Sequence, residues 1–127
     1  MLDIRIKRVY DPTDPQDGLR VLVDRLWPRG FTKEKLGTDL WLKEITPSNE
    51  LRNSYHHDLA RRKEYTQRYF AKLDSNPVAV QLLIKYAQKG RVTLLYATHD
   101  IEHNHASDLR EYLLSKFGKV DREVSSP

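Results

Sequence analysis

The chain has no cysteine. Disulfides, thiolate nucleophiles and cysteine-ligated metals are therefore excluded, and the absence suits a reducing compartment, so a cytoplasmic location is expected. Long apolar runs are also missing. No stretch approaches the ~20 residues that a bilayer-spanning helix needs. The opening Met1-Leu2-Asp3-Ile4-Arg5 enters a strand pattern without the apolar centre of a secretory signal, and no membrane partner is expected. Nor is there an internal repeat, a low-complexity tract or an interdomain linker, so 127 residues read as one domain. Excess charge is slight: 22 Lys and Arg against 18 Asp and Glu, a formal +4. That leans toward anionic partners without singling out nucleic acid, for which clustering on one face matters more than the total.

What the chain does have is an abrupt segment from Arg20 to Gly30. Val21, Leu22 and Val23 are a short apolar run of the kind buried on both faces of a sheet. Asp24, Arg25, Trp27 and Arg29 then crowd its exit, and Pro28 and Gly30 stop strand or helix from continuing. Two arginines, a carboxylate and an indole thus follow the carboxyl end of a core strand, where open α/β sheets bind their ligands.

The rest of the pattern is α/β. Residues 3–8 alternate as a first strand, and a turn-rich loop with two prolines follows through Gly18. Thr32 caps a short helix over Lys33 to Leu36 that Gly37 closes. Leu40-Trp41-Leu42 reads as a brief extended segment. Thr46-Pro47-Ser48 signals a helix start, with a short helix from Leu51 to about Tyr55. A longer helix runs from about Asp58 to Leu73, with Leu59, Tyr69, Phe70 and Leu73 on or near its inner face. Another runs from Pro77 to Gln88, with Ala79, Leu82, Leu83 and Tyr86 inward and Gly90 as a left-handed exit. Arg91 to Ala97 is a second buried strand. A last helix spans about Glu102 to Phe117, with Ala106, Leu109, Leu113 and Phe117 on its inner stripe. The expected architecture is a small, at least partly parallel sheet of three to four strands with helices on both faces, over residues 1–118, followed by a flexible tail over 119–127.

Asp24-Arg25-Leu26-Trp27-Pro28-Arg29-Gly30 resembles the hallmark of the domain of unknown function 488 family, the YeaO-like proteins. Further matches follow in the family's order: Lys7-Arg8-Val9-Tyr10, Trp41 with Lys43, Pro47-Ser48 with Leu51-Arg52, His56, Thr93-Leu94-Leu95-Tyr96 and Asn104-His105-Ala106. The resemblance covers nearly the whole chain to about Phe117. It implies a compact α/β domain and no particular activity. The chain departs from the family pattern at His57, His99 and His103.

If the strands before Asp24 and Thr98 are parallel neighbours, their exit loops lie side by side, and the second leads into a helix start carrying Asn104 and His105. Arg25 and Arg29 offer planar donors to phosphate or carboxylate. Trp27, Lys43, Arg52 and Tyr96 complete the proposed ligand-binding set, with Lys43, Arg52 and His56 approaching from the middle segment. For acid–base exchange the candidates are His105 and His56, with Asp24 orienting a basic residue. The plainer readings stand beside these. Asp24 pairs structurally with Arg25, Arg52 or a backbone turn, Trp27 and Trp41 pack, and Ser48 caps a helix. No zinc signature is completed by His99, His103, His105, His56 or His57, and no metal or cofactor is implied. The expected ligand is a small anion, with or without turnover. An alternative is single-stranded nucleic acid meeting Arg61, Arg62 and Arg68 and stacking on an exposed Tyr65. A third is a protein-interaction module built on the Trp-Pro-Arg loop.

Overall fold

The computed structural model describes residues 2–48, 51, 59–98 and 104–118. Its centre is a four-stranded, wholly parallel sheet of β1 (Ile4–Arg8), β2 (Leu19–Leu22), β3 (Leu40–Trp41) and β4 (Val92–Tyr96), in the order β1-β4-β2-β3. The last strand in sequence therefore lies in the middle. Ile4 pairs with Val92 on one side of β4 and Leu19 with Val92 on the other, and every β4 residue is buried. That is the environment its continuous apolar run requires. The helices are α1 (Lys33–Leu36), α2 (Arg62–Asp74), α3 (Pro77–Lys89) and α4 (His105–Leu113), and α4 runs on into a wider turn at Leu114–Gly118.

Strand alternation divides the core in two. Ile4, Val21, Val23, Val92, Leu94 and Tyr96 meet the inner residues of α2, α3 and α4 in one large cluster. Leu22 and Leu95 point the other way and meet Val9, Leu36, Trp27, Phe31 and Trp41. Among the described residues helices thus cover both faces, but unequally: three longer ones on the first, and on the second the short α1 with the loops around it. This follows from the connections. The chain moves one way along the sheet from β1 to β2 to β3 and back from β3 to β4, and right-handed crossovers running in opposite directions lie on opposite faces.

The thinly covered face is riveted by a polar cluster. Arg20 points inward from β2, 4% exposed, and donates through Nη1 to Asp17 at 2.5 Å, through Nη2 to the Leu36 carbonyl at 2.9 Å and through Nε to the Gly37 carbonyl at 3.0 Å. Lys7 of β1 reaches Asp17 at 3.0 Å, and the Thr93 hydroxyl of β4 donates to the Asp17 carbonyl at 2.6 Å. Burial pushes the Asp17 carboxyl up, but the Asp14 amide, Lys7 and Arg20 prevail and hold it below the usual carboxylate range. Gly18 allows the chain to enter β2. Its φ is +66°, and a Cβ there would sit 2.3 Å from the Arg91 carbonyl oxygen.

The Thr32 cap and the left-handed Gly37 close α1 as the sequence predicts: the Thr32 hydroxyl accepts from the Lys35 amide, and Gly37 has φ +63°. Three expectations fail. Tyr86 is 37% exposed, because α3 turns Ala79, Val80, Leu83, Ile84 and Ala87 inward; its apolar face is wide, and Val80 and Ile84 rotate the buried stripe away from Tyr86. Gly90 is not left-handed. Its φ of 175° is extended, as a chain running directly into β4 requires. Phe117 is only partly buried, in the wider turn beyond α4. Most of the helix expected over 51–55, the first residues of the last one, and the tail over 119–127 lie outside the described residues. Among the described residues no helix is long and apolar enough to cross a membrane.

Asp17→Ala should lower the stability of the fold by about 3–5 kcal/mol, the usual cost of leaving a buried charge without its partner. Urea unfolding checks this, and a loss below ~1 kcal/mol would contradict the rivet. Because the folded Asp17 carboxyl is held low, its contribution is complete above the ordinary value of ~3.9 and fades as pH falls through the folded one. Acid titration of stability should therefore be shallower below pH ~4 in Asp17→Ala than in the wild type.

Candidate functional site

β2 and β4 are parallel neighbours, so their carboxyl ends open side by side. From β2 the chain turns to the thinly covered face, and from β4 it turns to the helical one. Diverging exits of this kind leave a crevice at the carboxyl ends of the strands. Asp24 stands in it. Its Oδ2 accepts from the Ala97 amide at 2.9 Å, just past β4, and its Oδ1 lies 2.8 Å from His105 Nε2 at the start of α4. The second contact departs from the line of a straight N–H···O bond. Both of its atoms are buried and make no hydrogen bond among the described residues, so the contact is a close approach of carboxylate and imidazole and not a hydrogen bond. One carboxylate thus joins the β2 exit, the β4 exit and the helix. Among the described residues Asp24 does not meet Arg25, an arginine expected of its structural reading; its neighbours are the Ala97 backbone amide and His105, one of the basic residues the acid–base reading has it orient.

The loop after Asp24 is held from within. Trp41 Nε1 donates to the Asp24 carbonyl at 2.8 Å and Trp27 Nε1 to the Phe31 carbonyl at 2.7 Å. The two indoles meet edge to face, 5.3 Å between centroids. Pro28 is buried, and Gly30 takes φ +82°. Both tryptophans thus pack, as their plainer reading has it. Arg25 and Arg29 are exposed on this loop, with no ion-pair partner among the described residues, and Leu26 between them is 75% exposed.

The remaining predicted residues divide. Lys43 is exposed, its Nζ 4.1 Å from the centroid of the Trp41 ring. Asn104 is buried and caps α4, accepting from the Ser107 amide at 2.8 Å. Tyr96 sits with the core of the helical face, 3% exposed, rather than at an open surface. Ser48 behaves as a cap, its hydroxyl accepting from the Leu51 amide at 3.1 Å. Arg52, His56, His57, His99 and His103 lie outside the described residues. Among the described residues no group of three or more histidines and carboxylates could hold a metal ion.

The basic strip of α2 is not a stacking platform. Tyr65 is 5% exposed and packs against Tyr69, because the stripe that carries Tyr69 and Leu73 into the core carries Tyr65 with it. Arg62 is paired with Asp108. Sequence reasoning missed Asp108 altogether. It lies one turn beyond His105 and is 1% exposed; burial pushes its carboxyl up against the opposing pull of Arg62. The available signal was its place between Ala106 and Leu109, both on the inner stripe.

Comparison with known proteins gives one consistent answer. The sequence profile of a family described as the inactive DUF488-N3 subclade matches residues 3–127. The uncharacterized protein YeaO of Escherichia coli is 43% identical over 114 residues, covering 90% of this chain and 99% of that protein. The uncharacterized protein Rv3073c of Mycobacterium tuberculosis is 39% identical over 110 residues, covering 87% of this chain and 92% of that one. No solved structure matches.

Removing the Asp24 carboxylate should loosen the crevice more than the fold. Asp24→Ala is expected to cost about 1–3 kcal/mol, the usual penalty for leaving buried polar groups unpaired. It should also speed hydrogen exchange at the Ala97 amide ahead of the β4 amides. Equal protection in both proteins would show that Asp24 does not hold the two exits together.

Proposed function

The chain belongs to the inactive DUF488-N3 subclade, and from that footing we propose that it recognises a small phosphate- or carboxylate-bearing ligand at the carboxyl ends of β2 and β4, without turnover. The observation that carries this reading is the state of Arg25 and Arg29. Guanidinium groups that serve the fold are paired, as Arg20 is with Asp17 and Arg62 with Asp108. These two are exposed and unpaired among the described residues, on a loop braced by two indole hydrogen bonds. A braced loop presents its donors with little entropy left to lose on binding. Two planar forks then suit the oxygens of a phosphate or carboxylate.

Asp24 and His105 have a different part. Facing each other at 2.8 Å, they hold the loop and the start of α4 in register. Of the nucleophile candidates weighed, Ser48 is spent on its cap and cysteine is absent from the sequence. The description of the subclade as inactive points the same way.

A thermal-shift screen of phosphorylated metabolites and carboxylates tests the reading. A ligand at ~100 times its dissociation constant adds about 2.7 kcal/mol to stability, which for a domain of this size raises the midpoint by several degrees. Arg29→Ala should abolish that shift while leaving the unliganded stability within about 0.5 kcal/mol of wild type, as an exposed substitution does. A shift that survives both Arg25→Ala and Arg29→Ala would place the ligand elsewhere.

A further inference from the structure

An aromatic row crosses the thinly covered side of the sheet at its carboxyl end. Tyr10 follows β1 at one edge and is 55% exposed. Its ring lies 5.6 Å from that of Phe31, which follows the arginine loop. The Phe31 carbonyl in turn holds the Trp27 indole, and Trp27 meets Trp41 in β3 at the far edge. These rings do not form a closed core, since Phe31, Trp27 and Trp41 are each only partly buried.

The row is dressed in cations. The Arg8 guanidinium stands 4.9 Å from the Tyr10 ring centroid, Lys35 Nζ 5.8 Å from that of Phe31 and Lys43 Nζ 4.1 Å from that of Trp41. Arg25 and Arg29 project from the loop that carries Trp27. Lysines and other charges are depleted from the cores of protein interfaces, whereas nucleic-acid interfaces are strongly positive. Aromatic rings beside phosphate-seeking cations fit unpaired bases, because a base inside a duplex has no free face.

We infer that this cation-lined aromatic row binds single-stranded nucleic acid, with a base stacked on Tyr10 and the backbone phosphates following Lys35, Arg29 and Arg25. The inference rests on the anion reading of the arginine loop and names the kind of anion: a phosphodiester between stacked bases. It differs from the α2 strip, whose tyrosine is buried.

The test is fluorescence anisotropy with a labelled oligothymidylate about 15 nucleotides long, in the range of single-strand site sizes, beside a duplex of the same length. The single strand should bind more tightly than the duplex. Engaging three phosphates should give a slope of about −2 in log affinity against log salt. Tyr10→Ala should weaken binding about 5- to 150-fold, the worth of one stacked base. Lys35→Ala should reduce the slope by about 0.7. Equal affinity for duplex, or an unaffected Tyr10→Ala, would overturn the inference. So would an absence of oligonucleotide binding at low salt. If phosphorylated small molecules still stabilise the wild type in that last case, the anion reading stands alone. If they do not, both readings fall.

Discussion

A parallel sheet needs both of its faces covered, and among the described residues the long helices lie on only one. The other depends on a buried ion pair, Arg20 with Asp17, which does the work a helix would otherwise do. Arg20 also donates to two carbonyls at the end of α1, while Lys7 and Thr93 bring β1 and β4 to the same point. Three strands, a loop and a helix end are therefore tied by polar bonds, where the apolar cluster of that face is small. Replacing such a pair by apolar groups can be neutral, but removing one partner is not. The rivet is an arrangement in which each member makes the others necessary.

The opposite end of the same face has a different character. There the cover is aromatic and incomplete, and the arginine loop rests on indole-to-carbonyl bonds instead of ion pairs. That division explains why positive charge is available there. At the Arg20 end the cations are spent on a carboxylate and on carbonyls; at the carboxyl ends of the strands Arg25 and Arg29 are left unspent among the described residues. Asp24 is the acidic exception. It turns into the crevice, where Ala97 and His105 occupy it.

How much of this was legible in the chain depended on range. Local chemistry read well. The Thr32 cap, the Gly37 exit, the apolar runs of β2 and β4 and the helix start at Pro77 all rest on neighbours a few residues apart. Pairings between distant segments did not. The side-by-side exits of β2 and β4 were legible, but that Asp24 and His105 are the side chains that meet across them was not, because the parallel contact alone brings them together. Asp17 sits in a loop of turn formers and looks like one more of them. Its signal was indirect: Arg20 occupies an inward position of a buried strand, so some carboxylate had to meet it. Helix faces failed by rotation, at Tyr65 and Tyr86, where a wide apolar surface let neighbouring stripes compete. The placing of site residues suffered most from dual-use chemistry, since Asn104 can cap a helix as readily as it can hold a ligand.

The strand order has a consequence for how the molecule is made. Among the described strands β4 is the last in sequence, the one partner of β1 and the inner partner of β2. Until Val92–Tyr96 has left the ribosome, the first strand lacks the neighbour it has in the described sheet. Val21, Leu22 and Val23 meanwhile await a neighbour on their inner side. The nascent chain thus carries unpaired apolar strand through most of its translation, and the sheet closes in one late, non-local event. Loop-closure entropy must be met before that event returns any binding energy, which makes such topologies slow to fold and exposed to aggregation on the way. The feature that makes β4 the best-buried strand of the finished protein also makes the earlier part of the chain the most dependent on what has not yet been made.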